Sequence, residues 1–302
     1  MSVVLLSGAG LLVRSMQRLA AVDPGLNPKN VLTMEVPLDF TATTDFAKAG
    51  QRYEEMQRQL STLPGVEIVG LGSTIPLRAS QILLEVKAEA RPIENGATPS
   101  AEYRTADPGY FRAGGIPLLK GREFTAGDLS TTPKVAILNK TLADRPFPDV
   151  DPIGRRVAWT GDVLRFIGIP ENDWRTVVGV VNDAKDGGLD AKPMSVAFLP
   201  VAQAEFPPGG LVIRTTVNPA GLSTAARAIG RSVAPDQPIE NVMMALGAAP
   251  SRVTAMILRK VGCWWGSDSR WVSRVRWRCR ALSRGCCSAS LRAIPSRWSS
   301  SQ

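Results

Sequence analysis

Apolar and polar residues alternate from Asn30 to Leu38 (NVLTMEVPL), the period-two pattern of a half-buried strand. The pattern then changes period. Between Asp45 and Leu63 the apolar residues Phe46, Ala49, Tyr53, Met56 and Leu60 recur at spacings of three and four, which predicts an amphipathic helix ended by Pro64-Gly65. Val66 to Thr74 (VEIVGLGST) returns to strand character. A strand, a short helix and a second strand in this order point to an α/β sandwich of the split βαβ kind. Gln81 to Ala90 alternates again, and Arg91 to Ser100 is a polar loop with Pro, Gly and Asn.

The middle of the chain is built from shorter pieces. Ala101 to Thr105 suits a strand, and Pro108-Gly109-Tyr110-Phe111 opens a short turn or helix with two aromatic rings to bury. Gly114-Gly115 breaks it, and Gly121-Arg122 makes a second turn. Lys134 to Leu138 (KVAIL) is a compact strand, and Asn139 is placed to cap a short helix ending before Pro146. Asp151 to Val157 (DPIGRRV) is a tight turn leading into a strand, and Arg175 to Val181 (RTVVGVV) is the most strand-like run. Ser195 to Val201 and Leu211 to Thr216 add two more. Pro219 to Val233 is a helix with Leu222, Ala226, Ile229 and Val233 on one face, and Ile239 to Val242 suits a final edge strand. Two strand–helix–strand units therefore bracket an inserted β-rich part, an α+β organisation.

The amino terminus carries a different signal. Met1 to Val13 (MSVVLLSGAGLLV) is uncharged and apolar, and helical character runs on to Val22 before Asp23-Pro24-Gly25 stops it. The run is short for a membrane span, which needs about 20 apolar residues. It lacks the basic flank and cleavage site of a signal peptide. An amphipathic helix packed on the domain and the outer half of a membrane helix both fit.

Charge adds little until its location is considered. The formal net charge is +9, but the segment from Cys263 to Gln302 holds eight Arg and a single acid, Asp268. The remaining 262 residues are nearly neutral, so no nucleic-acid partner is inferred from the pI. All four cysteines (Cys263, Cys279, Cys286, Cys287) also fall in that tail, leaving the body without a disulfide framework or Cys-based metal site. Histidine is absent throughout, which removes the usual general base, triad partner and metal ligand. No phosphate loop of the GxxxxGK[ST] type occurs. Gly70-Leu71-Gly72 and Gly187-Gly188 read as glycine-bearing turns. The group Asp183, Lys185, Asp186 and Asp190 lacks EF-hand spacing and reads as a polar loop. Tyr110, Phe111, Trp159 and Trp174 read as core or hinge aromatics. No catalytic, cofactor-binding or metal-binding residue is assigned, no cofactor is expected, and an enzyme is not expected.

Several longer runs carry a family resemblance. They are Leu11 to Leu38, LPGVEIVGLGSTIPL (Leu63 to Leu77), DPGYFRAGGIPLLKGREF (Asp107 to Phe124), DPIGRRV (Asp151 to Val157), WRTVVGVVNDAKDGGLDAKP (Trp174 to Pro193) and APDQPI (Ala234 to Ile239). In this order and spacing they resemble the MacB-like periplasmic core domain of FtsX-type ABC-transporter permeases. The resemblance implies a periplasmic core over residues 30–242. Its split βαβ, porter-like part would cover 30–105 and 172–242, with an inserted sabre-like part at 106–171. It also favours the membrane-helix reading of residues 1–22. Residues 243–262 resemble a cytoplasmic permease segment.

The tail from Cys263 onward, rich in Trp, Cys, Arg and Ser, has the composition of GC-rich DNA read out of frame and is expected to be disordered. The chain thus reads as truncated and frameshifted. The implied role is a non-catalytic extracytoplasmic domain in the inner membrane, coupling helix motion to a periplasmic partner or substrate. A separate ABC ATPase subunit and further permease segments are the implied partners, with a homodimer left open. The alternative is a free-standing periplasmic binding or scaffolding module.

Overall fold

The computed structural model describes residues 21–36, 45–79, 82–89, 99–147, 150–188, 191–235, 237 and 240–244, together with Leu11, Arg14, Ser15 and Arg18. The chain divides into the compact units Met1–Gly247 and Ala248–Gln302, and every described residue belongs to the first. The expectations for residues 1–10, for most of 11–20 and for 245–302 lie outside the described residues. Among the described residues no helix is long and apolar enough to cross a membrane.

The described chain is a mixed α+β structure whose first and last elements share one layer. This layer contains β1 (Val31–Glu35), α1 (Phe46–Ser61) and β2 (Val66–Gly72), then β10 (Gly210–Thr215), α5 (Ser223–Val233) and β11 (Glu240–Met244). Its strand order is β11-β1-β10-β2, all antiparallel, so each half places a strand between or beside those of the other. The mixed α+β class agrees with the expectation from the sequence. Asp45 caps α1, its carboxylate accepting from the Lys48 amide at 3.1 Å. The helix buries Tyr53, Met56 and Leu60 against Leu32, Met34, Leu211 and Ile213. Each such side chain contributes about 1.5–3 kcal/mol of apolar burial. The Tyr53 hydroxyl, carried into this core, donates to the Val36 carbonyl.

Between β2 and β10 the chain forms β3 (Leu83–Ala88), β4 (Ser100–Ala106), α2 (Tyr110–Gly114), β5 (Leu118–Gly121), β6 (Val135–Asn139), α3 (Lys140–Asp144), β7 (Arg156–Thr160), α4 (Leu164–Ile167), β8 (Arg175–Val181) and β9 (Val196–Pro200). Pairing runs β4-β3-β7-β8-β6-β9, and β9 returns to β4 in parallel register, with Glu102 opposite Val196 and Ala106 opposite Pro200. These strands close into a ring. Leu84, Val86, Tyr103, Leu138, Trp159 and Leu199 form the apolar cluster that fills it. A single antiparallel pair, Gly72 opposite Ala106, continues the ring into the outer layer. A third cluster containing Tyr110, Phe111, Phe198 and Val212 packs the two together.

Several expectations need correction. Gly70 and Gly72 lie inside β2 and make no turn; their missing side chains let α2 press on the strand. Gly188, at φ +119°, does occupy a turn conformation. Strand β5 and helix α4 carry no sequence signal strong enough to have been expected, because each is four residues long and β5 is exposed throughout. Met243 and Met244 pair with Thr33 and Leu32 in β11 and so extend the sheet beyond residue 242.

Candidate functional site

A groove of about 580 Å³ lies between helix α1 and the inserted strands. One wall is a stripe of α1 formed by Phe46, Gly50, Glu54 and Gln57, on the flank beside its buried face. From Phe46 to Gln57 this stripe runs about 16 Å at 1.5 Å per residue. The facing wall comes from the loop after Phe124 and from the segment following β9, with Leu129, Val201, Glu205 and Phe206. Leu71, Ala106 and Asp107 make the floor.

Local chemistry fixes each wall. Asp128 takes two 2.8 Å bonds from the Arg122 guanidinium and another from the Thr125 amide, which folds residues 122–128 into a fixed turn. The Arg122 guanidinium holds the Asp128 carboxyl below its ordinary value. Behind Val201, the buried Gln203 accepts from the Val135 amide at 3.0 Å and donates to the carbonyls of Leu129 and Pro133. Phe206 stands edge-on to Tyr103, and the Tyr103 hydroxyl donates to Glu205 at 2.8 Å.

Two contacts span the groove. The Phe46 and Phe206 rings meet edge to face with centroids 6.1 Å apart. At the floor, Gln57 Nε2 donates to Asp107 at 2.6 Å and to the Val69 carbonyl at 2.9 Å. Burial pushes the Asp107 carboxyl up, against the hydrogen bonds it accepts from Gln57 and the Gly109 amide. The charged residues on the groove wall are Glu54, Asp107, Asp128 and Glu205, all acidic.

Beside the floor lies a buried ion cluster. Arg104 on β4 is paired with Glu102 two residues earlier and with Asp186 at 2.8 Å, all three side chains at most 3% exposed. Asp186 also accepts from the Leu77 amide at 2.8 Å. Burial raises the Asp186 carboxyl, and the Arg104 charge works against that shift. The loop bearing Asp186 holds the segment that leads into β1: the Lys185 amide donates to the Pro24 carbonyl and Asn182 to the Gly25 carbonyl, both at 3.1 Å. A chain of contacts thus joins residues 24–25, the 182–186 loop and Arg104 on β4.

The polar group singled out from the sequence is dispersed. Asp183 caps α3 by accepting from Asn139 and Thr141, Asp186 turns toward Arg104, Lys185 donates to the Ala191 carbonyl, and Asp190 lies outside the described residues. Among the described residues no group of three or more His, Cys, Asp or Glu side chains is arranged to hold a metal. Tyr110, Phe111 and Trp159 are core residues, whereas half-buried Trp174 receives Lys87 and Arg156 over its ring at 5.7 and 5.8 Å. Sequence reasoning missed Glu102, Arg104, Gln57 and Phe206. A usable signal existed for the first two, since opposite charges two apart on a strand point to one face.

The fold is an interleaved α+β layer carrying a ring of inserted strands, with a groove and an ion cluster where the two join. Residues 26–246 match the family described as the MacB-like periplasmic core domain, and the chain belongs to that family. It is accordingly a periplasmic domain of the MacB/FtsX type of ABC-transporter permease. No curated protein matches the chain. Among solved structures it is similar to the periplasmic region of MacB from Actinobacillus actinomycetemcomitans, at 14% identity and TM-score 0.49, covering 80% of this chain and 97% of that one. It is also similar to the extracellular domain of the noncanonic ABC-type transporter YknZ from Gram-positive bacteria, at 15% identity and TM-score 0.44, covering 71% and 96%. A domain of a putative permease protein from Porphyromonas gingivalis is similar at 13% identity and TM-score 0.42, covering 75% and 96%.

Proposed function

We propose that this domain is the extracytoplasmic part of an inner-membrane permease and couples motion of membrane helices to a periplasmic partner or substrate. A separate ABC ATPase subunit would supply the driving energy, and residues 1–22 would belong to the helix that leads into the domain. The observation that carries the reading is the pairing of β1 with β11, which sets Leu32 opposite Met244. The chain therefore arrives and departs side by side at one end of one sheet edge. A domain inserted between two consecutive membrane helices needs that geometry.

Two working parts follow from the same reading. The porter-like part is the layer of β1, α1, β2, β10, α5 and β11. The sabre-like part, read from the sequence at residues 106–171, would lie within the ring of inserted strands β3 to β9. Contacts from Pro24 and Gly25 through the 182–186 loop to Arg104 support transmission from the membrane side to the ring.

The test is ATP turnover and transport by the permease reconstituted with its ATPase in lipid nanodiscs. Arg104→Lys, which keeps the charge but loses the forked geometry, is expected to lower transport per ATP hydrolysed. An unchanged ratio in a folded variant would refute coupling through this route.

A further inference from the structure

We infer that the groove along α1 seats a short extended segment of a periplasmic partner protein, in which Lys or Arg residues alternate with apolar ones. The inference rests on the proposal that this domain engages such a partner, and it specifies the partner's chemistry.

Three observations meet here. The first is Gly50. It lies in the interior of α1, where glycine is the least favourable residue after proline. A Cβ at this position would meet nothing within 4 Å, so packing inside the chain does not require glycine. Gly50 faces the groove, and its bare backbone leaves room for another main chain to approach closely.

Charge is the second. The wall carries Glu54, Asp107, Asp128 and Glu205 and no Lys or Arg. Arg122 answers Asp128 and Arg175 approaches Glu205 at 3.6 Å, both from outside the lining, which leaves Glu54 and Asp107 as the surplus. Glu54 is exposed on α1, one turn beyond Gly50. The 262 residues before Cys263 are nearly neutral in sum, so the local carboxylates set the field that a basic segment meets at the groove.

The third is shape. The α1 stripe spans about 16 Å, the length of roughly five residues of extended chain. Phe46 and Phe206 at one end, with Leu129 and Val201 opposite, offer apolar contacts between the carboxylates. Period-two alternation in a bound strand would turn its cations to one side and its apolar residues to the other.

The test uses fluorescence anisotropy with the 302-residue chain and a fluorescein-labelled Lys-Val-Lys-Val-Lys peptide. Binding is expected to be saturable and to weaken with added salt, while Glu-Val-Glu-Val-Glu does not bind. Glu54→Lys is expected to weaken binding roughly tenfold or more. Gly50→Leu, which fills the groove, is expected to abolish it, with circular dichroism and the melting midpoint confirming that the variant is folded. Absence of binding by the basic peptide, or equal binding by Gly50→Leu, overturns the proposal. So does full displacement by equimolar tetrabutylammonium, which would mark a pocket for small organic cations. Self-association of the chain removed by Gly50→Leu would overturn it in favour of a second copy. None of these outcomes bears on the transport ratio of Arg104→Lys, so the coupling role and the groove stand or fall separately.

Discussion

A Cβ on Gly70 would stand 2.5 Å from the Cα of Tyr110. The clash is with backbone, which cannot rotate away as a side-chain tip can. Gly70→Ala must therefore push α2 off β2, disturbing the cluster of Tyr110, Phe111 and Phe198 beneath it. The expected cost is about 1–3 kcal/mol, the usual range for overpacking. Urea unfolding followed by circular dichroism reads it, and an unchanged midpoint would contradict this packing.

Arg104 balances two carboxylates in a place water does not reach. Arg104→Met keeps much of the side-chain volume but removes the cation that Glu102 and Asp186 share. Breaking a buried pair in this way costs about 3–5 kcal/mol. Replacing Asp186 by Asn in the same chain should recover part of the loss, because one of the two stranded charges is then gone. A double-mutant cycle measures the recovery. Additive losses would mean the three groups do not act as a unit.

Asp107 gives a pH signature whose sign is fixed by its burial. Its folded-state pKa lies above the ordinary value of 3.8, so the folded protein holds this proton more tightly than the unfolded chain. The contribution to stability is fully present below 3.8 and is lost as pH rises through the folded value. The wild-type chain should accordingly gain stability relative to Asp107→Asn as the pH falls from 7 toward 4. Paired urea titrations at the two pH values test this; a difference that does not change, or a wild type that gains on Asp107→Asn as the pH rises, contradicts it.

Gly50→Ala should stabilise the isolated chain by up to about 1 kcal/mol, since Ala is the better helix former and meets no neighbour. Thermal melts of the two proteins suffice. A lower midpoint would show that the position is constrained by something on the helix itself.

Much of this architecture was readable in advance, for local reasons. Asp45 and Pro64-Gly65 bracket a helix whose inward positions repeat at 3.6, and Arg175 to Val181 is β-branched enough to be a strand in any setting. Asn139 could be read as a cap because its side chain acts three residues away. What escaped depends on partners far along the chain. The β4–β9 pairing joins residues about 94 positions apart, as with Glu102 and Val196, and no periodicity announces it. Gly70 and Gly72 look like a turn until Tyr110 is seen beside them. The groove carries no local signal, because Gln57 and Asp107 are ordinary polar residues in the sequence until folding brings them to 2.6 Å.

The interruption of the outer layer also governs the order in which the molecule can assemble. Strand β2 ends at Gly72 and its neighbour β10 begins at Gly210, with the whole ring of inserted strands made in between. During synthesis, α1 therefore waits beside β1 and β2 with half of its apolar bed missing. Leu211 and Ile213 cannot cover Tyr53, Met56 and Leu60 until ribosomal elongation has passed them. The ring contains all of its own strands and can close first, whereas the layer depends on the most distant pairings and closes last. At common elongation rates of about 5–20 residues per second, that exposed helix face persists for many seconds. For a nascent chain bound for the far side of a membrane, those seconds are an interval in which it remains unfolded enough to be threaded across.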